Sequence, residues 1–468
     1  MYKKFLLLLL CNIAVTNAIA KIELPNIISD NMVLQQQAKV KLWGKSTPNS
    51  EISISTSWSP QIRVESNNSG DWSAFIPTPA GSYDTHEITI ADNESQATLH
   101  NILIGEVWLA SGQSNMEMTF GGFVNNPVKN SNEIIAEANS MQKKIRLLNI
   151  PRIQSYIPLD NVTTNWQIPN PQTVKEFSAV AYFYASYLNK YLNVPIGIIN
   201  SSWGGSPIES WMDQNTLSKY PDIQLSRKDI ENKLITARPM VMFNAMIYPL
   251  RNYTLKGFIW YQGEANIYQY KTYAQRMYDM VSLWRGLWNN SNMPFYFVEI
   301  APHQYGIELS QYLREAQYNA QQLIPNCGMI STNDLVYDYE EFNIHPSQKE
   351  AVGKRLAFMA MNETYGIKSI CSRGPEFQNV KFEKSQAIVT FKNAESGFNR
   401  TSDITGFEIC GQDGNFYPAE AIVQNNTIIV KNKNVTEPTA VRYCFHDFMI
   451  GNLANTFGFP VVPFRTDK

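Results

Sequence analysis

A serine hydroxyl becomes a nucleophile when a base can take its proton and fixed N–H groups can hold the charge left on the carbonyl it attacks. The stretch from Gly105 to Met116 offers such a serine. An apolar run, Val107-Trp108-Leu109-Ala110, leads into Ser111-Gly112-Gln113-Ser114-Asn115, the pattern of a buried strand that stops at a turn of small residues. A turn of that kind lifts the Ser114 hydroxyl clear of its own backbone, above the free N–H groups of the helix that follows. The same tripeptide would also suit a serine that only caps a helix, so the rest of the chain has to supply partners.

Bases are scarce: the chain has five histidines, His86, His100, His303, His345 and His446. His345 lies in Asn343-Ile344-His345-Pro346, directly ahead of Ser347 to Ala357, where apolar positions fall at helical spacing. It therefore sits on a loop entering a helix, with Pro346 fixing the turn, and loops on a rigid scaffold are where reacting side chains concentrate. His86, His100 and His446 fall in strand-like alternation and read as surface or core residues. His303, after the apolar run Phe295 to Ile300, is the rival base.

Further blocks carry the same flavour. Asn200 to Trp211 contains Trp203-Gly204-Gly205-Ser206, and Trp260-Tyr261-Gln262-Gly263-Glu264-Ala265-Asn266 follows another apolar run. With Gly112 to Met116 and Ile344-His345-Pro346, these blocks resemble, in order, those of the sialate O-acetylesterases within the SGNH hydrolase superfamily. The resemblance extends to Asp30 to Gln35 near the start and Phe459 to Phe464 near the end, and so covers nearly all of the chain after its first residues.

Each block ends an expected strand, where ligands bind in open α/β sheets. Candidate oxyanion donors are the N–H groups of Ser114 and Gly205 and a side-chain amide from the third block. The resemblance favours Gln262 for that amide, with Asn266 as the alternative. It also implies an aspartate three residues before the histidine, but that position is Phe342. Either Ser114 and His345 work as a dyad, or a distant carboxylate orients the ring, Asp334 ahead of Glu341. Candidate substrate contacts are Gln113, Asn266, Trp203 and Arg314. Arg314 could equally form a surface ion pair, and most of Trp203, Trp211, Trp260 and Tyr261 belong to the core.

The elements that must position these residues follow from pattern and composition. With 468 residues, 44% of them hydrophobic, the chain can bury more than one core. A net charge of -2 without blocks of like charge argues against nucleic acid or an anionic membrane as partner. Residues 1–20 read as a signal peptide: Lys3 and Lys4, an apolar run from Phe5, then Ala18-Ile19-Ala20, with cleavage after Ala20. Cys11 follows Leu9-Leu10 rather than small residues, which favours a plain secretory leader over a lipoprotein one. No later run approaches the roughly 18 apolar residues of a membrane helix, so a secreted or periplasmic protein free of the membrane is expected.

Residues 21–104 alternate in short runs, the pattern of a small β-sandwich. From 105 to 365 apolar strands (Ile196 to Asn200, Gly257 to Tyr261) alternate with helical stretches (Val180 to Lys190, Tyr268 to Trp284), implying a mostly parallel sheet between helices. Alternation returns from 366 to 468. The expected architecture is an SGNH-type three-layer α/β/α domain flanked by two β-sandwich-like domains. Cys410 and Cys444, in late strand-like runs, are candidates for a disulfide across a sheet. No metal-ligand spacing is present and no cofactor is needed. The expected activity is removal of O-acetyl groups from sialic acid. Acetyl-xylan or another plant polysaccharide is the alternative substrate, and a degenerate, carbohydrate-binding hydrolase core is a further one. Nothing in the residue pattern points to an oligomeric state.

Overall fold

The computed structural model describes residues 21–467. The expected signal peptide, its cleavage point and Cys11 lie outside the described residues. Six parallel strands form the centre, in the order Cys327–Ile330, Phe295–Val298, Gly257–Tyr261, Gln96–Gly112, Ile196–Ser202 and Ile145–Asn149. Their residues are apolar on both sides because both faces are covered. Trp108, Ala110, Ile198 and Ile259 pack under the helices Ala179–Leu192 and Lys349–Glu363. Val107, Leu109, Phe258 and Trp260 point the other way, under the helices Tyr270–Leu287 and Ser310–Leu323. The period-two alternation of the strands thus feeds two separate cores.

The strand Gln96–Gly112 is 17 residues long and belongs to two structures. Its first part pairs antiparallel with Ser82–Ala91 and, at Leu103 to Gly105, parallel with Val33–Gln35. From Glu106 onward it is flanked by Ile196–Ser202, and from Trp108 also by Gly257–Tyr261. The chain passes the position between residues 104 and 105 without leaving the strand. Beyond the helix Lys349–Glu363, two four-stranded antiparallel sheets face each other over a shared core of Val389, Ile428, Ile409, Val441 and Phe464. The molecule is a mixed α/β protein with a mostly parallel central sheet and additional antiparallel sheets.

The expected Cys410–Cys444 disulfide is absent: Cys327, Cys371, Cys410 and Cys444 are all free thiols. Phe407–Cys410 and Ala440–Tyr443 do pair, but antiparallel, with Cys410 opposite Ala440 and the Cys444 N–H donating to Gly406. The two sulfurs lie at opposite ends of the strand pair, several residues apart at about 3.4 Å per residue.

Asp447, from the C-terminal sheets, caps the start of the helix Ser310–Leu323. Its buried carboxylate accepts hydrogen bonds from the N–H groups of Ile307, Glu308, Leu309 and Ser310 and from the Ser310 hydroxyl. Burial by itself would raise the carboxyl's pKa; the Ser310 hydroxyl and these N–H groups outweigh it and hold the pKa below the usual 3.8. Asp447→Ala orphans several buried donors and is expected to destabilise the protein by about 3 kcal/mol in denaturant unfolding at neutral pH. In the parent, the carboxylate's contribution is full above its unfolded pKa and is lost as pH falls through the lowered folded value. An unchanged unfolding midpoint in the variant would show that the cap is dispensable.

Candidate active site

The turn after the central strand exists because one residue there has no side chain. Gly112 has φ 140°, and a Cβ on it would lie 2.1 Å from the Tyr261 carbonyl oxygen. The Gln113 N–H donates to that same oxygen at 3.0 Å, and the helix Ser114–Glu117 begins one residue later. Ser114 is thereby carried out at the carboxyl end of the strand, half-buried.

His345 arrives from the other side of the crevice. Its Nε2 lies 2.8 Å from Ser114 Oγ, 231 residues away in sequence. The His345 N–H donates to Asn343 Oδ1 at 2.9 Å, and the Phe123 ring packs against the imidazole in a T-shaped contact at 4.9 Å between centroids. Burial, then the nearby charges of Lys349 and His303, lower the His345 pKa from 6.5 to about 4. The imidazole is therefore neutral at physiological pH, the state a general base needs.

Among the described residues, no carboxylate is hydrogen-bonded to His345. Phe342, three residues ahead of it, is 75% exposed. Asp334, the candidate third member, is committed elsewhere: its two oxygens accept from Arg355 Nη1 and Nη2 at 2.8 and 2.6 Å, a fork matched to a carboxylate. Glu341 offers its carbonyl to the Gln304 N–H. His303 stands close enough to lower the pKa of His345 but is not the group on Ser114; its N–H donates to the Asp447 carbonyl. His86 bonds Ser57, His100 pairs with Glu87, and His446 bridges Glu308 and Glu408.

Gly204 packs directly on Ser114. A Cβ there would lie 3.3 Å from Ser114 Cβ and 2.9 Å from Glu117 Oε2, which accepts the Gly204 N–H at 2.8 Å. Among the described residues, neither the Ser114 N–H nor the Gly205 N–H has an acceptor. The side-chain amides are different. Gln262 is fully buried, and both Nε2 hydrogens are used, on the Ser206 carbonyl at 3.1 Å and on Asn266 Oδ1 at 2.8 Å. Asn266 Nδ2 faces the two oxygens of Glu209 at 3.2 and 3.1 Å, which share one of its hydrogens. Gln262 has no amide hydrogen left for an oxyanion in this arrangement; together the two amides hold the turn that carries Gly205.

Two candidate substrate contacts are turned mostly inward. Gln113 is buried, with Oε1 accepting the Gly263 and Ala265 N–H groups at 3.3 Å each, so that oxygen ties the two turns together. Arg314 is only 2% exposed and donates to the carbonyls of Cys444 and His446, so it neither reads a sugar nor forms a surface ion pair. Trp211, Trp260 and Tyr261 are core; Trp203 alone of the four is half-buried.

Asn115, Glu264 and Lys349 are three further buried polar residues within reach of one another beside Ser114 and His345. Asn115 and Glu264 belong to the Gly112–Met116 and Trp260–Asn266 blocks, and Lys349 is four residues past His345; only tertiary contact reveals that they meet. The Glu117 carboxylate lies between Gly204 and Arg152 Nε, the latter at 2.5 Å.

Residues 104–362 match the family described as carbohydrate esterase, sialic acid-specific acetylesterase. The chain belongs to that family. It is an esterase. Its fold is similar, with a TM-score of 0.85, to that of a carbohydrate acetylesterase from Xanthomonas citri, which is 31% identical, the match covering 96% of this chain and 100% of the other. It is 26% identical over 483 residues to the sialate O-acetylesterase of Mus musculus, covering 89% of this chain and 88% of that protein. The Homo sapiens sialate O-acetylesterase is 28% identical over 382 residues, covering 74% and 72% respectively.

With His345 as the base, a pKa near 4 would set the acid limb of the esterase. kcat/KM is expected to stay level down to about pH 5 and to fall about tenfold per unit below about pH 4, as His345 takes up a proton. A pH profile of p-nitrophenyl acetate hydrolysis checks this. An acid limb centred near the ordinary histidine value would contradict the buried, cation-flanked His345 described above.

Proposed function

We propose that this family member is an exported serine esterase of SGNH type that removes O-acetyl groups from sialic acid, working through the dyad Ser114 and His345. The observation that carries the reading is the 2.8 Å contact between Ser114 Oγ and His345 Nε2 at the carboxyl end of the parallel sheet. The names of the rodent and human relatives support the substrate. The leader-like residues 1–20 support export.

In this reading Nε2 accepts the Ser114 proton as Oγ attacks the acetyl carbonyl carbon. The Ser114 and Gly205 N–H groups hold the oxyanion of the tetrahedral intermediate. His345 then gives the proton to the sugar oxygen as the ester bond breaks, leaving an acetyl-serine. Water, losing a proton to the same nitrogen, attacks that ester; the second intermediate collapses to acetate, and Ser114 regains its hydrogen. Gln262 acts indirectly, by fixing the Gly205–Ser206 turn.

Acetate release is the test, with 9-O-acetylated sialic acid and acetylated xylan as parallel substrates. Ser114→Ala and His345→Ala should each abolish release from the sialic acid ester, and the double variant should be hardly worse than either, because the two side chains act as one unit. Preference for xylan would retain the dyad and reject the sugar assignment. Substantial activity in Ser114→Ala would reject the mechanism.

The dyad reading makes a separate prediction for Asp334. Asp334→Asn should keep kcat within about tenfold of the parent, since its carboxylate serves Arg355, whereas replacing the triad aspartate of a serine protease by asparagine costs about 10⁴ in kcat. A thousandfold loss with unchanged thermal unfolding would make Asp334 part of the machinery.

A further inference from the structure

We infer that Lys349 and Asn115 are positioning residues for the esterase dyad, Lys349 gripping the Asn115 carboxamide while that carboxamide ties the Ser114 turn to the His345 loop. The inference rests on the reading of Ser114 and His345 as the reacting pair.

Asn115 follows the nucleophile directly and is fully buried. Its Nδ2 donates to the Ile344 carbonyl at 3.0 Å and to Glu264 Oε1 at 2.6 Å, while its Oδ1 accepts from Lys349 Nζ at 2.5 Å. Both amide hydrogens are used. Ile344 directly precedes His345. The Asn115–Ile344 bond therefore spans the dyad one residue away on each side, and the spacing of Ser114 and His345 is set through backbone rather than through a carboxylate on the imidazole. A carboxamide alone can flip or swing; an ammonium donor on its oxygen and a carboxylate on its nitrogen allow one orientation.

The placement of Lys349 is costly. It is the first residue of the helix Lys349–Glu363, 1% exposed, with Nζ 5.8 Å from the centre of the Tyr261 ring. A buried ammonium needs a counter-charge, and Glu264, itself buried and with Oε2 unpartnered among the described residues, provides it. Burial lowers the Lys349 pKa to about 7, against the pull of Glu264 and Glu340. Both the ammonium and the amine can donate to Asn115, so the grip survives that titration.

The same group has an electrostatic consequence. The charges that act on His345 are Lys349 and His303, both of which lower its pKa; Lys349 in turn faces Glu264 and Glu340, and His303 faces Asp447. Near pH 4 Lys349 is protonated, so removing it removes a positive charge beside the imidazole. The His345 pKa then rises and the acid limb moves to higher pH.

The test compares the parent with Lys349→Met and with the charge-neutral pair Lys349→Met/Glu264→Gln, which avoids leaving Glu264 alone should the single variant unfold. Thermal unfolding, kcat, KM and the pH profile are measured on p-nitrophenyl acetate, with Ser114→Ala as the control that the activity belongs to this site. Folded variants should show kcat lowered by about 10²-fold, KM within about threefold, and an acid limb displaced upward. Ethylamine added to Lys349→Ala should restore part of kcat. A folded neutral pair with parental kcat and an unmoved acid limb would overturn the inference, even with the Ser114 control inactive and the dyad reading intact.

Discussion

The constraint on which the site depends is the single strand Gln96–Gly112. It is an antiparallel partner of Ser82–Ala91 at its start and a central member of the parallel sheet at its end. Because it is hydrogen-bonded on both sides, its last residue is held to the registers Gly112–Tyr261 and Gly112–Ser202. The turn that follows inherits that rigidity. Ser114 is therefore fixed by backbone paired on both sides, while Gly204 and Gly205 follow the neighbouring strand Ile196–Ser202 and His345 comes from the chain after the edge strand Cys327–Ile330.

Around the turn, buried polar groups are arranged in chains rather than left single. Arg276 pairs with Glu209, Glu209 holds Asn266, Asn266 accepts from Gln262 and from the Ile208 N–H, and Gln262 holds the Ser206 carbonyl. Tyr273 completes the set by donating to Gln262 Oε1 at 2.8 Å. Every link is a group whose burial without a partner would be unfavourable, so the network has few alternative arrangements. Its product is a stiff turn at Gly204 and Gly205 against Ser114. On the other side of Ser114, Asn115, Glu264 and Lys349 form the second such network.

The C-terminal sheets are part of the same construction. Asp447 caps the helix Ser310–Leu323, Arg314 on that helix donates to the carbonyls of Cys444 and His446, and the carbonyl of Asp447 takes the His303 N–H. His303 neighbours His345 closely enough to alter its charge balance. The C-terminal sheets thus reach to within one side chain of His345.

The sequence by itself determined a good deal. Period-two and helical patterns are local properties, so the parallel sheet between helices, the flanking antiparallel strands, and the helices near Val180 and Tyr268 were legible from spacing alone. Ser114 and His345 stood out because a small-residue turn after an apolar run, and a histidine ahead of a helix, are also local signals. What the amides, carboxylates and arginines do was not legible, because hydrogen-bond partners are chosen by residues distant in sequence. Gln262 read as ligand-facing from its motif, and its amide hydrogens are taken up by Ser206 and Asn266. Asp334 is paired with an arginine 21 residues on, and Arg314 donates to carbonyls 130 and 132 residues on. Cys410 lies on a strand paired with Ala440–Tyr443 and Cys444 follows that partner directly, but the antiparallel register puts the two at opposite ends. Residue types and spacing select the chemistry; only the packed structure decides which polar atoms are already spoken for, because a buried hydrogen-bonding group takes whatever partner the fold brings within about 3 Å.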